Sequence, residues 1–424
     1  MIKLKSKINE IDRNIIYIWI KSIFILIISY FIVSGASAYN IYYIKYIITY
    51  SIASLIFAIA LNIIICKYSH FMIYISFFTI TFLSLLGLSK TLTGSHSEVS
   101  SPYMYGISFY TVTLAYLSKV NRINIASSFV AANPLLLITG PIATSFKFSS
   151  KKFSINRFNY YFPYILLGIF LHQIIATPLT QTFGIKESTD LVSTITYGII
   201  FEIFVYCNFC GLSLMIFGIF GILGIKIPLN FKQPFSSKNL VEYWRGWHTS
   251  LSIALKELFY LPLKKSFGSN IAIFGVFLSS SLWHGVSLNF IYWGLFQAIF
   301  FLITVNLLKY NIKYIPSIFL LFAIPFARIL FSDDDINRLN TKLMFKFEDF
   351  DALSSINLMG SHVKIALALG LFFVLFEIIF KDKKMFLSKN YKFYRIPAVQ
   401  ILLIILIILF IHDSGSLYAV YGQR

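Results

Sequence analysis

Long runs without a charge constrain this chain more than any other feature. Residues 22–44, 46–66, 71–89, 99–118, 123–146, 158–185 and 271–308 contain no Asp, Glu, Lys or Arg. A helix needs roughly 20 mostly apolar residues to cross about 30 Å of hydrocarbon, and every one of these runs is near or beyond that length. Residues 191–225 carry one charge, Glu202, and are long enough for two passes. Shorter apolar blocks follow at 314–327, 365–376 and 396–412. Backbone groups in lipid must be paired within a helix or a closed barrel. The strict alternation that marks barrel strands is weak here, which leaves helices. The expectation is an all-α, polytopic membrane protein with about ten or eleven helices. Some of them are expected to be broken, re-entrant or interfacial, and the chain is expected to form one membrane-embedded domain over 1–424.

Composition agrees with a bilayer as solvent. Charged residues make up 12% of the chain, about half the share usual in soluble domains. The formal net charge of +19 would point to nucleic acid in a soluble protein. Here the basic residues gather between apolar runs, as at Lys147, Lys151, Lys152 and Arg157, at Lys264 and Lys265, and at Lys381, Lys383 and Lys384. Such clusters mark cytoplasmic loops that face anionic lipid. The expected setting is therefore the cytoplasmic (inner) membrane, with membrane lipids as partners and no nucleic acid. The polar start, Met1 to Arg13, precedes no small-residue cleavage signature, so the first span is expected to be retained.

Several local features have ordinary readings. Cys207 and Cys210 have thioredoxin-like spacing but lie inside an apolar run, where buried thiols are expected. Asp333, Asp334 and Asp335 form an acidic knot without ligand-spaced partners, and no His/Glu/Cys set has the spacing of a metal site. His362 and His412 lie near element ends. The Gly140-Pro141 pair breaks the run 123–146, and such a break inside a membrane must be sheltered by protein or face a cavity.

The segment 226–270 is too polar at its start for a plain span and too aromatic for an ordinary loop. Asn239 is placed to cap a short helix that runs through Trp247, with Glu242 as its reciprocal partner. From Ser250 to Phe259 apolar residues recur at helical spacing, as expected of an interfacial or re-entrant element. Two histidines stand out. His248 closes Trp244-Arg245-Gly246-Trp247-His248, and His284 lies in Leu282-Trp283-His284-Gly285 within the charge-free run 271–308. An imidazole this deep in an apolar run is functional by default. Its unshifted pKa is the closest of any side chain to neutrality, which suits it to take a proton from a hydroxyl attacking a thioester. No Gly-x-Ser-x-Gly elbow is present, which favours direct transfer over a serine-bound intermediate.

These two blocks, GIKIPLNFKQPFSSKNLVEYWRGWHTSLSIALKELFYLPL at 224–263 and SSSLWHGVSLNFIYWGLFQA at 279–298, resemble the membrane-bound O-acyltransferase superfamily. Within it they are most similar to the bacterial branch that holds the alginate O-acetylation and teichoic-acid D-alanyl transfer membrane proteins. The Leu282 to Gly285 element matches that branch residue for residue, and the resemblance is strongest over 200–300. The chain departs from the branch at three places. Asn208 stands where an aspartate is usual, Lys256-Glu257 replaces an Arg-Asp pair, and the C-terminal aromatic segment reads Tyr418-Ala419-Val420-Tyr421-Gly422-Gln423-Arg424.

The resemblance implies helices around a central tunnel. It implies His284 and His248 as catalytic residues, His284 at the membrane interior and His248 on the cytoplasmic side near donor entry. Trp244, Arg245, Trp247, Trp283 and Asn208 would line the donor channel. No cofactor is bound in such a protein. The donor is a substrate, an acyl thioester on coenzyme A (acetyl-CoA) or on an acyl carrier protein, and an extracytoplasmic partner acyltransferase or polymer-modifying protein is implied. The expected activity is O-acetylation of an envelope or exported polysaccharide. D-alanyl transfer from a carrier protein toward a teichoic-acid-like polymer is the alternative. A transporter or flippase would show an inverted repeat or several intramembrane charges, and a non-catalytic scaffold would need neither histidine.

Overall fold

A computed structural model describes residues 154–285, 287–312, 314–346, 359–379 and 396–410, together with scattered positions between 112 and 148 and residue 356. The first four apolar runs, the chain's end from 411, and Cys66, His96, Gly140 and His412 lie outside the described residues or almost wholly so. Among the described residues the fold is all-α except for one two-residue β-pair. Five helices among the described residues are long and apolar enough to cross a membrane. The chain is a multi-pass membrane protein.

The first spanning helix among the described residues, α1, covers Ile155–Glu187. It passes through a π segment at Phe170–Ala176 and tightens into 3-10 turns at Thr180–Glu187. Next, α2 covers Leu191–Leu223 as one unbroken helix of 33 residues. The run that is long enough for two passes therefore forms one helix. It contains no proline, and Gly198, Gly211, Gly218 and Gly221 are spread singly along it, so nothing in it ends a helix. At 1.5 Å per residue it is about 50 Å long, well beyond a 30 Å core.

Short elements follow: α3 (Leu240–Gly246), α4 (Thr249–Leu255), a π turn at Lys256–Tyr260, and α5 (Leu261–Phe267). The run 271–308 divides as its length suggests, into α6 (Ser269–His284) and α7 (Leu288–Lys309), with the break at Gly285. Beyond it lie α8 (Tyr314–Ser332), α9 (Ile336–Lys342), α10 (Ser361–Ile379) and α11 (Pro397–Phe410).

The chain divides into two compact units. One comprises Met1–Phe162, Ile216–Pro228 and Asp413–Arg424, the other Pro163–Met215 and Leu229–His412. In the first, β1 (Lys147–Phe148) pairs antiparallel with β2 (Ile225–Lys226), with Lys147 opposite Lys226. Arg157 Nε donates to the Ile222 carbonyl at 3.1 Å, and the Tyr161 ring packs edge-on against Phe217 at 5.3 Å.

In the second unit, α1 and α2 cross at two glycines. A Cβ on Gly168 would lie 2.6 Å from the Gly211 carbonyl oxygen, and one on Gly211 would lie 2.7 Å from that of Gly168. Only residues without side chains let two backbones meet this way, and lipid supplies little hydrophobic drive for helices to associate by other means. The acidic knot has a structural explanation. Asp333 pairs with Arg338 and with Lys342, and Asp335 caps α9 by accepting from the Asn337 and Arg338 amides. Burial opposes the charge on Asp333, but the hydrogen bonds from Arg338 and Lys342 prevail and hold its carboxyl below the ordinary range.

Candidate functional site

The site is built where α3 turns into α4. Asn239 caps α3 by accepting from the Glu242 amide at 3.0 Å. The Glu242 carboxylate reaches back one residue further than a capping box requires, to the Lys238 amide at 3.0 Å. The elbow between α3 and α4 is His248 itself, in the left-handed region at φ 41°. That conformation is uncommon outside glycine, although histidine is among the residues enriched in it. The segment before α3 holds the elbow in place. The Thr249 amide donates to the Asn230 carbonyl at 2.8 Å, Ser250 Oγ to Asn230 Oδ1 at 2.5 Å, and the Lys232 amide to the Gly246 carbonyl at 2.8 Å.

His248 is only 4% exposed. Its Nδ1 caps α4, accepting from the Leu251 amide at 3.4 Å. A neutral imidazole that accepts at Nδ1 carries its hydrogen at Nε2. Burial lowers its pKa to about 3, so the ring stays neutral at physiological pH. Phe209 of α2 packs edge-on to it at 4.7 Å.

His284 is the last residue of α6, where Gly285 interrupts the charge-free run. Its ring is partly exposed, while the aromatics around it are buried. Trp283 is 4.9 Å away, Phe331 of α8 5.0 Å, Trp293 of α7 5.6 Å and Phe290 6.2 Å. Hydrogen bonds set the walls of this cage: Ser281 Oγ donates to the Phe290 carbonyl, and Asn289 Nδ2 donates to the Phe331 carbonyl at 3.1 Å. The Phe290 ring lies against Gly285, on the side where a Cβ would point. That glycine therefore admits an aromatic ring of the chain itself.

Trp283 joins the two histidines, since its ring lies 6.2 Å from His248 and 4.9 Å from His284. Trp244 reaches the same cage through Trp293 at 6.1 Å and donates from Nε1 to the buried Gln297 at 3.3 Å. Trp247 stacks on Tyr243 at 5.6 Å. The structure thus gathers His248, His284, Trp244, Trp247 and Trp283. Arg245 stands apart: it is exposed and forms no ion pair among the described residues. Asn208 is buried on α2, and its Oδ1 has no hydrogen-bond partner among the described residues; the contact to His248 comes from its neighbour Phe209.

A buried polar network under the site is not anticipated by the motifs. Glu202 of α2 pairs with Arg328 of α8, and Tyr243 donates to Glu202 at 3.0 Å. The guanidinium lies under the Trp247 ring, 4.7 Å from its centroid, and 5.7 Å from that of Phe331. Burial and the Glu202 carboxylate push the Tyr243 phenol well above its ordinary value, so it stays a donor. The signal was available in the sequence, because Glu202 is the single charge in 191–225 and Arg328 the single charge in 314–332. Intramembrane charges of opposite sign are expected to find one another. The apolar block read as 314–327 stops one residue short of the partner.

Comparison with known proteins finds a family match for part of the chain. Residues 134–312 match the family described as MBOAT, membrane-bound O-acyltransferase. The chain is similar to a peptidoglycan O-acetyltransferase of Helicobacter pylori, 33% identical over 141 residues that cover 31% of this chain and 27% of the relative. It is similar to a probable alginate O-acetylase of Pseudomonas syringae pv. tomato, 26% identical over 280 residues, 59% of this chain and 53% of the relative. A teichoic acid D-alanyltransferase of Bacillus subtilis is 30% identical over 171 residues, 36% and 43% of the two chains. The chain thus spans between about a quarter and a half of the length of these relatives. Both histidine blocks fall inside the matched segment.

Proposed function

We propose, starting from the match of residues 134–312 to the membrane-bound O-acyltransferase family, that this protein moves an acyl group from a thioester donor to a hydroxyl of an envelope polymer. The observation that supports this reading best is the pair of imidazoles in contact with one indole, the buried one locked in a helix cap and the other partly exposed in an aromatic cage. His284 acts as the general base. It takes the proton of the acceptor hydroxyl as that oxygen bonds to the thioester carbonyl carbon. The tetrahedral adduct then collapses, the carbon–sulfur bond breaks, and the thiolate leaves to be reprotonated. His248 shapes the donor side of the site with Trp244 and Trp247, and the exposed Arg245 aids the approach of an anionic donor.

Acetyl transfer to an envelope or exported polysaccharide is the favoured form, in keeping with the O-acetyltransferase and O-acetylase relatives. D-alanyl transfer is the second form, and similarity to the teichoic acid D-alanyltransferase of Bacillus subtilis favours it specifically. The deciding experiment is mass analysis of envelope polymers from cells with and without the protein. Loss of acetyl esters supports the first form, and loss of D-alanyl esters the second. An unchanged polymer set, beside a folded and inserted protein, overturns the transferase reading.

A further inference from the structure

A cleft of about 280 Å³ lies among α2, α8, α10 and the segment that leads into α3. Its walls are aliphatic, with Ile203 from α2, Leu320 and Ile324 from α8, and Leu371 and Val374 from α10. The rim is open: Leu321 is 67% exposed and Leu371 39%. One end is polar. Ser317 at the start of α8 donates to the Lys238 carbonyl at 2.7 Å, and the Lys238 side chain is exposed there. The other end reaches the buried Glu202 and Tyr243. Ser317 and Pro325 both line the cleft, and eight residues of α8 separate them by about 12 Å at 1.5 Å per residue.

We propose that this cleft seats one acyl chain of an anionic phospholipid, with the headgroup at Lys238. Its volume is roughly nine times the share of one water in the liquid, which suits a segment of one chain and not a diacyl body. Aliphatic walls on three helices offer a polar metabolite few partners and match an acyl chain by dispersion contact, so selection among lipids falls to the headgroup end. The headgroup end selects charge. Between Leu229 and Arg245 the exposed cations are Lys232, Lys238 and Arg245, against the single acid Glu242. A zwitterionic headgroup gains little from that excess, and an anionic one gains directly. The chain end comes to rest beside Tyr243, whose phenol donates to Glu202 in the network under Trp247. The proposal does not depend on the transfer reaction.

The test is native mass spectrometry of the full chain. The protein is purified in detergent, stripped of lipid, and offered phosphatidylglycerol, phosphatidylcholine of equal chain length, or a polyprenyl phosphate. The wild-type protein retains phosphatidylglycerol about fivefold better, the scale of one basic residue at an anionic surface. Lys238→Glu removes that preference, and Val374→Trp, which fills the cleft, lowers retention of both lipids. Melting temperature and gel filtration establish that the variants are folded. If Val374→Trp fails there, Leu371→Trp at the exposed rim takes its place. A folded cleft-filled variant that retains phosphatidylglycerol like the wild type overturns the proposal. So does equal retention of the two lipids by the wild type, or a preference for a polyprenyl phosphate over phosphatidylglycerol.

Discussion

Glu202 and Arg328 form an ion pair between α2 and α8 while only 4% and 6% exposed. Breaking such a pair on one side leaves a charge buried without compensation, which costs about 3–5 kcal/mol, whereas replacing both partners is often neutral. Glu202→Met and Arg328→Met should therefore each lower stability in detergent by about that amount. The double variant should recover most of the loss. Losses that add in the double variant, measured by chemical unfolding of the purified proteins, would sink this account of the pair.

His284→Ala should leave the protein folded, because the side chain is partly exposed at the end of α6 and its cage is held by other hydrogen bonds. Transfer should fall by about 10²-fold or more, the scale of losing a general base. The assay is turnover of a radiolabelled thioester donor with polymer acceptor in nanodiscs, with melting temperature recorded beside it. A well-folded variant that works at near wild-type rate excludes His284 from the chemical step.

His248 should affect stability in a pH-dependent way. Its pKa falls from an ordinary value near 6.5 to about 3 on folding. The unfolded state takes up a proton first, so the stability contributed by this group is complete above pH 6.5 and declines as pH falls toward 3. His248→Asn keeps a residue that tolerates the left-handed elbow and caps helices. It should be more stable than His248→Ala and should lose this part of the acid sensitivity. An identical pH–stability curve for wild type and His248→Asn would show that the ring is not held neutral.

Orientation follows from the basic clusters. In a background with Cys66, Cys207 and Cys210 replaced, cysteines introduced at Ser149 and Lys232 should resist a membrane-impermeant maleimide in intact cells. They should react after permeabilisation. Strong labelling at both sites from outside would invert the proposed topology.

Much of this was legible in the sequence because membrane helices and caps are local devices. The charge-free runs at 158–185 and 271–308 and the Asn239 cap each follow from a few neighbouring residues. The two histidine blocks were legible as motifs, and the ring contacts of Trp283 show them converging. Apart from the pairing of the two lone charges Glu202 and Arg328, long-range partnerships were not legible. Nothing local says that Arg328 lies under Trp247, or that Phe209 in place of Asn208 reaches His248. The helix α2 was open to misreading because a composition without breaks says how far a helix can run and not how often it crosses. The role of His248 as a helix cap was also hidden, since its φ of 41° is a property of the elbow and not of the residue type.

The crossing of Gly168 and Gly211 acts as a fulcrum. With carbonyls where side chains would be, α1 and α2 can tilt about that point but cannot slide past it without a backbone collision. Phe209, two residues from the pivot, is therefore kept at a fixed depth against His248. A bulky residue at Gly211 would accordingly force α1 and α2 apart at the crossing and disturb the seat of Phe209 against His248.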